Sequence, residues 1–301
     1  MWGYAPAYVD QLRRTRENRK FLPGVAIPAS IRLTSDCTQA LESAEVIVVA
    51  APSQYLRQVL KSARAGPWNQ ALVVSVVKGI EPGTLLRMSQ LIRSAVPVRR
   101  LVVLSGPSIS YEVARGVPTT VVAASEQAAS ARQAQALFSA GRFRVYTSAD
   151  LVGVELGGAL KNVIAIACGV ADGLGFGANA KAALVTRGLV EMARLGTAMG
   201  ARAKTFTGLS GLGDLVTTCF SEHSRNRRVG EQLGRGVPLS AITNKMEQVA
   251  EGVTTAKSSY SLSRKYKVEM PIAAAVYEIL YKKKSPKRAV EDLMSRDLKS
   301  E

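Results

Sequence analysis

From Glu45 onward the chain alternates continuous Val-rich runs with amphipathic stretches. The runs EVIVVAAP (45–52), ALVVSVVKG (71–79), LVVLSGPS (101–108), TTVVAAS (119–125) and FRVYTS (143–148) are bounded by Gly, Pro or polar residues. Such runs read as strands buried on both faces. Between them, helical periodicity predicts helices over 53–64, 82–94, 111–115 and 126–140. Strand and helix in alternation imply an α/β domain with a mainly parallel, Rossmann-like doubly wound sheet. The first residues, WGYAPAYVDQLRRTRENRKFLPG, read as the tail of a strand followed by a short basic helix carrying Val9 and Leu12, ending before Phe21.

After Asp150 the Val-rich runs stop. Long Ala/Leu/Gly segments with helical spacing follow, so the second half reads as all-α, with Pro271 and Pro286 at first-turn positions of the last helices. A boundary near residue 149 gives a sheet domain over 1–149 and a helical domain over 150–301. The most apolar stretch of the helical half runs from Val154 to Gly188 and carries Lys161 in its middle. That segment reads as a core helix. Its lysine either snorkels to the surface or points into a polar cavity, where burial would lower its pKa and suit it to proton chemistry.

Composition narrows the classes. A chain of 301 residues with 47% hydrophobic content is large enough for two ordinary cores. No stretch reads as a membrane span and no signal-peptide pattern opens the chain, so the expected compartment is the cytoplasm. Cys37, Cys168 and Cys219 are too dispersed for a disulfide framework, and with His223 as the single histidine no metal site is expected. Forty basic against 23 acidic residues leave a formal charge of +17, which favours anionic partners. The basic clusters RRTRENRK, SRNRR and KKKSPKR lack interleaved aromatics, so no dedicated nucleic-acid motif is present.

Candidate chemistry sits at strand ends and glycine-rich turns. VVKG ends on Lys78 and VLSGPS on Ser105, Gly106 and Ser108, positions that an open α/β sheet presents to a ligand. Asp214 follows GLSGLG and suits either a close approach to substrate or a helix cap. Ser224, Arg225 and Asn226 offer a hydroxyl, a planar fork and an amide in succession, a set suited to a phosphate dianion and equally compatible with an exposed helix start. No G-x-G-x-x-G occurs; the glycines of GLGFGA (173–178) and GLSGLG (208–213) lack its spacing and its strand-to-helix setting.

Taken in register, ENRKFLPG, APSQ, VVKGIEPGT, SGPS, the run from Phe143 to Gly188, GLSGLGDLVTTC, SRNRR, QVAEGVTTA and MPI resemble the bacterial-type NAD(P)-dependent glycerol-3-phosphate dehydrogenases over the whole chain. The resemblance implies NAD or NADP as cofactor, dihydroxyacetone phosphate and sn-glycerol 3-phosphate as a phosphorylated substrate pair serving phospholipid synthesis, and a homodimer. It makes Lys161 the proton-transfer residue. Lys78, Gly106, Ser108, Asp214, Ser224, Arg225 and Asn226 would contact substrate alongside it. Lys78, Ser110, Arg225, Val249 and Glu251 would contact the cofactor, with Ser110 standing where the family usually has alanine.

One departure stands out: in the family a strand and a glycine-rich turn precede the tryptophan matching Trp2. The sheet domain is accordingly expected to be N-terminally truncated and the chain as written to bind NAD(P)H weakly or not at all. GYAPAY also supplies neither the acidic residue that would favour NAD nor the arginine that would favour NADP. A reading from a different class is a non-catalytic remnant or anion-binding protein that has lost its cofactor.

Overall fold

The Val-rich runs form five strands in the computed structural model, which describes residues 1–298. They are β1 (Val46–Val49), β2 (Leu72–Ser75), β3 (Arg100–Ser105), β4 (Thr119–Ala124) and β5 (Phe143–Ser148), side by side in that order. β1 pairs β2 and β2 pairs β3 in parallel, and β4 pairs β5 in parallel. The β3–β4 pair is antiparallel, with Leu104 opposite Ala123. The connection explains the reversal. Its helix has only five residues, about 7.5 Å of rise, too short to carry the chain back along a six-residue strand.

The sheet half carries six helices: α1 (Pro6–Thr15), α2 (Cys37–Leu41), α3 (Leu56–Ser62), α4 (Met88–Ala95), α5 (Ser110–Ala114) and α6 (Ala128–Phe138). Val9 and Leu12 of α1 pack on Leu33, as their spacing predicts. Trp2 forms an isolated parallel bridge with Thr34. The helix expected from Pro82 begins only at Met88. Ile80 and Arg87 form an antiparallel bridge instead, around a turn in which Gly83 and Leu85 take φ of +84° and +62°. A left-handed leucine cannot start a helix.

The helical half is α7 (Leu151–Gly173), α8 (Ala178–Ala198), α9 (Ala203–Phe206), α10 (Asp214–Phe220), α11 (Arg225–Gly234), α12 (Leu239–Asn244), α13 (Glu251–Lys265), α14 (Pro271–Tyr281) and α15 (Pro286–Met294). The expected single segment from Val154 to Gly188 is thus two helices, parted at Leu174–Gly177, where Gly175 turns with φ of +79°. α7 begins where Asp150 caps it, its carboxylate accepting from the Gly153 N–H at 2.9 Å. From there every residue from Gly153 to Ala171 is buried.

The burial of α7 bears on the expectation that no stretch is a membrane span. At 23 residues and mean hydropathy 1.6, α7 is long and apolar enough to cross a membrane, yet 89% of its most apolar window is buried within the protein. Its apolar surface is covered by its neighbours, not by lipid. The closest is α11, where a Cβ on Gly169 would lie 1.9 Å from the Arg227 carbonyl and one on Gly230 2.0 Å from that of Ile166. Only hydrogen at both positions lets the backbones approach so closely. The glycines that break the simple amphipathic pattern are therefore what fixes α11 and its leading Ser224-Arg225-Asn226 against the middle of α7.

Candidate functional site

Three elements converge on Lys161. α7 brings the lysine itself, the turn after β2 brings Lys78, and α10 begins with Asp214. The route into α10 is a π-helical turn, Leu209–Gly213, formed by the glycine-rich GLSGLG stretch, a widened geometry that recurs at functional sites. Asp214 is buried and bridges both cations. The Lys161 ammonium donates to Asp214 Oδ1 at 2.5 Å and the Lys78 ammonium to Oδ2 at 2.6 Å.

Each ammonium has one further acceptor. Lys161 donates to the Thr218 hydroxyl at 2.7 Å, and Lys78 to the Gly106 carbonyl at 3.0 Å. An ammonium carries three N–H donors, so one remains on each lysine after these bonds. Two cations around one carboxylate also leave a local excess of one positive charge. Burial, with the Lys78 charge beside it, lowers the Lys161 pKa to about 8 against the opposing pull of Asp214.

Gly106 has a backbone reason to be glycine. Its φ is +146° and a Cβ would lie 2.9 Å from Val121 Cα. What it offers the site is its carbonyl, which also accepts from the Ser108 hydroxyl at 3.0 Å. Ser108 is thereby joined to the Lys78 end of the network.

The Ser224-Arg225-Asn226 cluster occupies the start of α11, and its side chains are not equally free. Ser224 is the N-cap, its Oγ accepting from the Arg227 N–H at 3.2 Å. Asn226 donates to Asn162 Oδ1 at 2.9 Å and accepts from the Gly252 N–H at 2.8 Å, so its amide ties α7, α11 and α13 together. Arg225 is exposed and donates one N–H to the Val249 carbonyl at 3.0 Å, keeping the rest of its fork open. Positive charge and open donors at a helix start suit an anionic oxygen.

Glu251 begins α13 and reaches across to the sheet half. Its carboxylate accepts from the Ser53 N–H at 3.0 Å and from the Ser53 hydroxyl, just beyond the end of β1. Burial raises its pKa, while the Ser53 bonds and the Arg225 charge pull the other way. Val249, Arg225 and Glu251 are therefore contiguous, as the sequence reading groups them. Ser110 is different: it is exposed at the start of α5, and no hydrogen bond joins it to the lysine network.

The sequence gives no role to Thr218, Asn162 or Ser53, although Asn162 with Lys161 interrupts the apolar run of α7. Thr218 lies four residues after Asp214, one helical turn on the same face, and that spacing was a usable signal. Asn162 adjoins Lys161, but its partner is 64 residues away, and the partner of Ser53 is 198 residues away. Nothing local announces such pairs. Residues present at the end of β1 and on α11 and α13 offer a half-buried carboxylate, an open guanidinium and backbone carbonyls, a donor and acceptor set that fits a nucleotide; no G-x-G-x-x-G accompanies them in the sequence.

Comparison with known proteins follows the same division. The family model described as NAD-dependent glycerol-3-phosphate dehydrogenase C-terminus matches residues 150–291, and the one described as its N-terminus matches residues 1–131. A glycerol-3-phosphate dehydrogenase [NAD(P)+] of Bacillus pumilus is 52% identical over 299 residues, covering 98% of this chain and 87% of that protein. One of Geobacter sp. is 49% identical over 304 residues, covering 100% and 91%. The crystal structure of glycerol-3-phosphate dehydrogenase from Coxiella burnetii, 35% identical, superposes with a TM-score of 0.94 over 98% of this chain and 90% of that one.

Proposed function

The chain belongs to the NAD-dependent glycerol-3-phosphate dehydrogenases, and on that premise we propose that Lys161 is the acid that completes reduction of dihydroxyacetone phosphate to sn-glycerol 3-phosphate. The nicotinamide cofactor, NADH or NADPH, supplies the hydride when bound. Hydride addition to the C2 carbonyl places a negative charge on its oxygen. A cation within hydrogen-bond reach both stabilises that charge and delivers the proton. Lys161 has the donor to do so, and its pKa near 8 places proton release close to neutral pH. In the reverse direction the neutral amine takes the hydroxyl proton.

Around that step the other residues bind and orient. Lys78 and Asp214 hold Lys161 in place and set its charge; the remaining Lys78 donor, with Gly106 and Ser108, faces the reacting oxygen. Arg225 and the start of α11, with Ser224 and Asn226 fixing its position, hold the phosphate. Val249, Glu251, Arg225, Lys78 and Ser110 line the cofactor side. The sheet domain, 1–149, is the dinucleotide-binding domain and the helical domain, 150–301, the substrate-binding domain, with residues of both lining the cleft between them, in a cytoplasmic homodimer feeding phospholipid synthesis. The anion-binding remnant is not favoured, because glycerol-3-phosphate dehydrogenases about 50% identical match nearly the whole chain.

The observation that carries this reading is the Lys78–Asp214–Lys161 bridge. Lys161→Ala is expected to cut kcat for ketone reduction by about 10²- to 10⁴-fold, the usual contribution of a positioned acid, while the protein remains folded by circular dichroism. A folded Lys161→Ala protein that keeps its turnover would show that the acid lies elsewhere.

A further inference from the structure

One hydroxyl at this site has no task. Ser105 ends β3 at 3% exposure, and its Oγ has no hydrogen-bond partner, one of two such buried side-chain atoms among the described residues, with Thr255 Oγ1. An unpaired buried hydroxyl costs on the order of 1–3 kcal/mol, a penalty that alanine would avoid. A partner in another state of the site would offset that cost.

The surroundings identify that partner. Gly158, one turn before Lys161 on α7, faces the end of β3. A Cβ there would sit 2.6 Å from Ser105 Oγ and 3.4 and 3.6 Å from Cγ and Cδ of Lys78. The hydroxyl and the lysine stem thus share one niche against α7, which glycine keeps open. The Lys78 ammonium is already bonded to the carbonyl of the very next residue, Gly106. The Ser105 hydroxyl and the Lys78 stem therefore lie side by side at the end of β3.

We propose that Ser105 is a positioning residue for Lys78, its Oγ accepting from the Lys78 ammonium when substrate draws that lysine away from the Gly106 carbonyl. The second cation is thereby kept beside Lys161 through the reaction. This rests on the assignment of Lys161 as the acid. The groups that face Lys161 are Lys78 from the turn after β2, Asp214 and Thr218 from α10, and the Cys219 thiol further along α10. Lys78 is the only other cation among them. If it is held less firmly, its repulsion of the Lys161 charge weakens and Lys161 keeps its proton to higher pH.

Ser105→Ala tests this in the full chain. The Lys161 midpoint is read by NMR titration of protein carrying ¹³C-labelled lysine side chains, with and without saturating glycerol 3-phosphate, so the readout does not depend on turnover. The variant is expected to raise the Lys161 midpoint by about half a unit or more with glycerol 3-phosphate present, and less without it. KM for dihydroxyacetone phosphate is expected to rise about tenfold with kcat changed less, the loss of one hydrogen bond to a charged group. The melting temperature should be unchanged or higher, because an unpaired hydroxyl has been removed. An unchanged Lys161 midpoint in the presence of glycerol 3-phosphate would overturn the proposal, as would a fall in melting temperature with no titration change, which marks a purely structural serine. An active Lys161→Ala protein would instead sink the assignment of the acid and leave the titration result standing on its own.

Discussion

Glu155 and Lys161 lie six residues apart on α7, both buried and both charged, and they are put to opposite uses. Glu155 accepts from the Arg87 guanidinium, from the Ser89 N–H at 2.7 Å and from the Ser89 hydroxyl at 2.6 Å. One anion meets one cation there, and α4 is pinned to α7 at its first turn. Lys161 shares one carboxylate with a second cation, keeps a donor in hand, and has its pKa lowered to about 8. A buried charge that is matched and fully bonded holds a fold together. One that is over-matched by like charge, with bonding capacity left, is prepared for a ligand.

The largest test of that contrast is Glu155→Ala. Removing one partner of a buried pair leaves Arg87 uncompensated, and a loss of about 3–5 kcal/mol in unfolding free energy by urea titration is expected. The alkaline limb of the pH–rate profile, set by Lys161, should stay where it was. A limb that moves in a still-folded variant would mean the two charges belong to a single network, and the distinction between them would collapse.

The two were not equally legible in the sequence. Lys161 interrupts an apolar helix within a motif whose resemblance to a family gives it a role, and Lys78, Asp214 and the Ser224-Arg225-Asn226 run stand in comparable motifs. Glu155 sits in the same helix without any signal, because its partners, Ser89 at the start of α4 and Arg87 just before it, lie 66 and 68 residues upstream. The strands were readable because burial on both faces leaves continuous Val-rich runs. The antiparallel β3–β4 pair was not, since strand direction depends on how far a short connection can reach. Nor was the late start of α4, where Leu85 takes a left-handed conformation that its residue type does not announce. Asn226 adds a task its motif does not announce. Its amide donates one N–H to Asn162 and accepts from the Gly252 N–H, which leaves one N–H for a ligand.

A smaller effect sharpens the Lys161 side. The Thr218 hydroxyl accepts from the Lys161 ammonium and donates to the Asp214 carbonyl at 2.6 Å. An acceptor bonded to the charged form favours that form, so Thr218→Val should lower the Lys161 pKa below its value of about 8. Ketone reduction needs the protonated amine. Its alkaline limb is therefore expected to move to lower pH, by about half to one unit, with little change in the plateau rate. This is opposite in sign to the shift expected for Ser105→Ala, so the two variants measured side by side separate an acceptor on Lys161 from an acceptor on its neighbour. A shift to higher pH in Thr218→Val would contradict the bonding described for Lys161.

Glu191 on α8 asks which feature of Glu155 closes a buried carboxylate, its hydrogen bonds or its counter-charge. It accepts from the Ile272 and Ala273 N–H groups at 2.7 and 3.1 Å, at the start of α14, and among the described residues no ammonium or guanidinium bonds to it. Burial raises its pKa to about 7 against the pull of those two N–H bonds and of the Arg194 and Arg296 charges. Since this carboxyl holds its proton to higher pH when folded than the ordinary value of about 4.3 when unfolded, its contribution to stability is fully present below that value. It is lost as pH rises through about 7. Between pH 6 and pH 8 the parent should therefore lose about 1 kcal/mol more than Glu191→Gln, which has nothing to titrate there. Urea unfolding of both proteins at the two pH values measures the difference. Parallel losses would mean that two backbone N–H groups suffice to keep a buried carboxylate charged, and that the guanidinium at Glu155 is not what separates a structural charge from a reactive one.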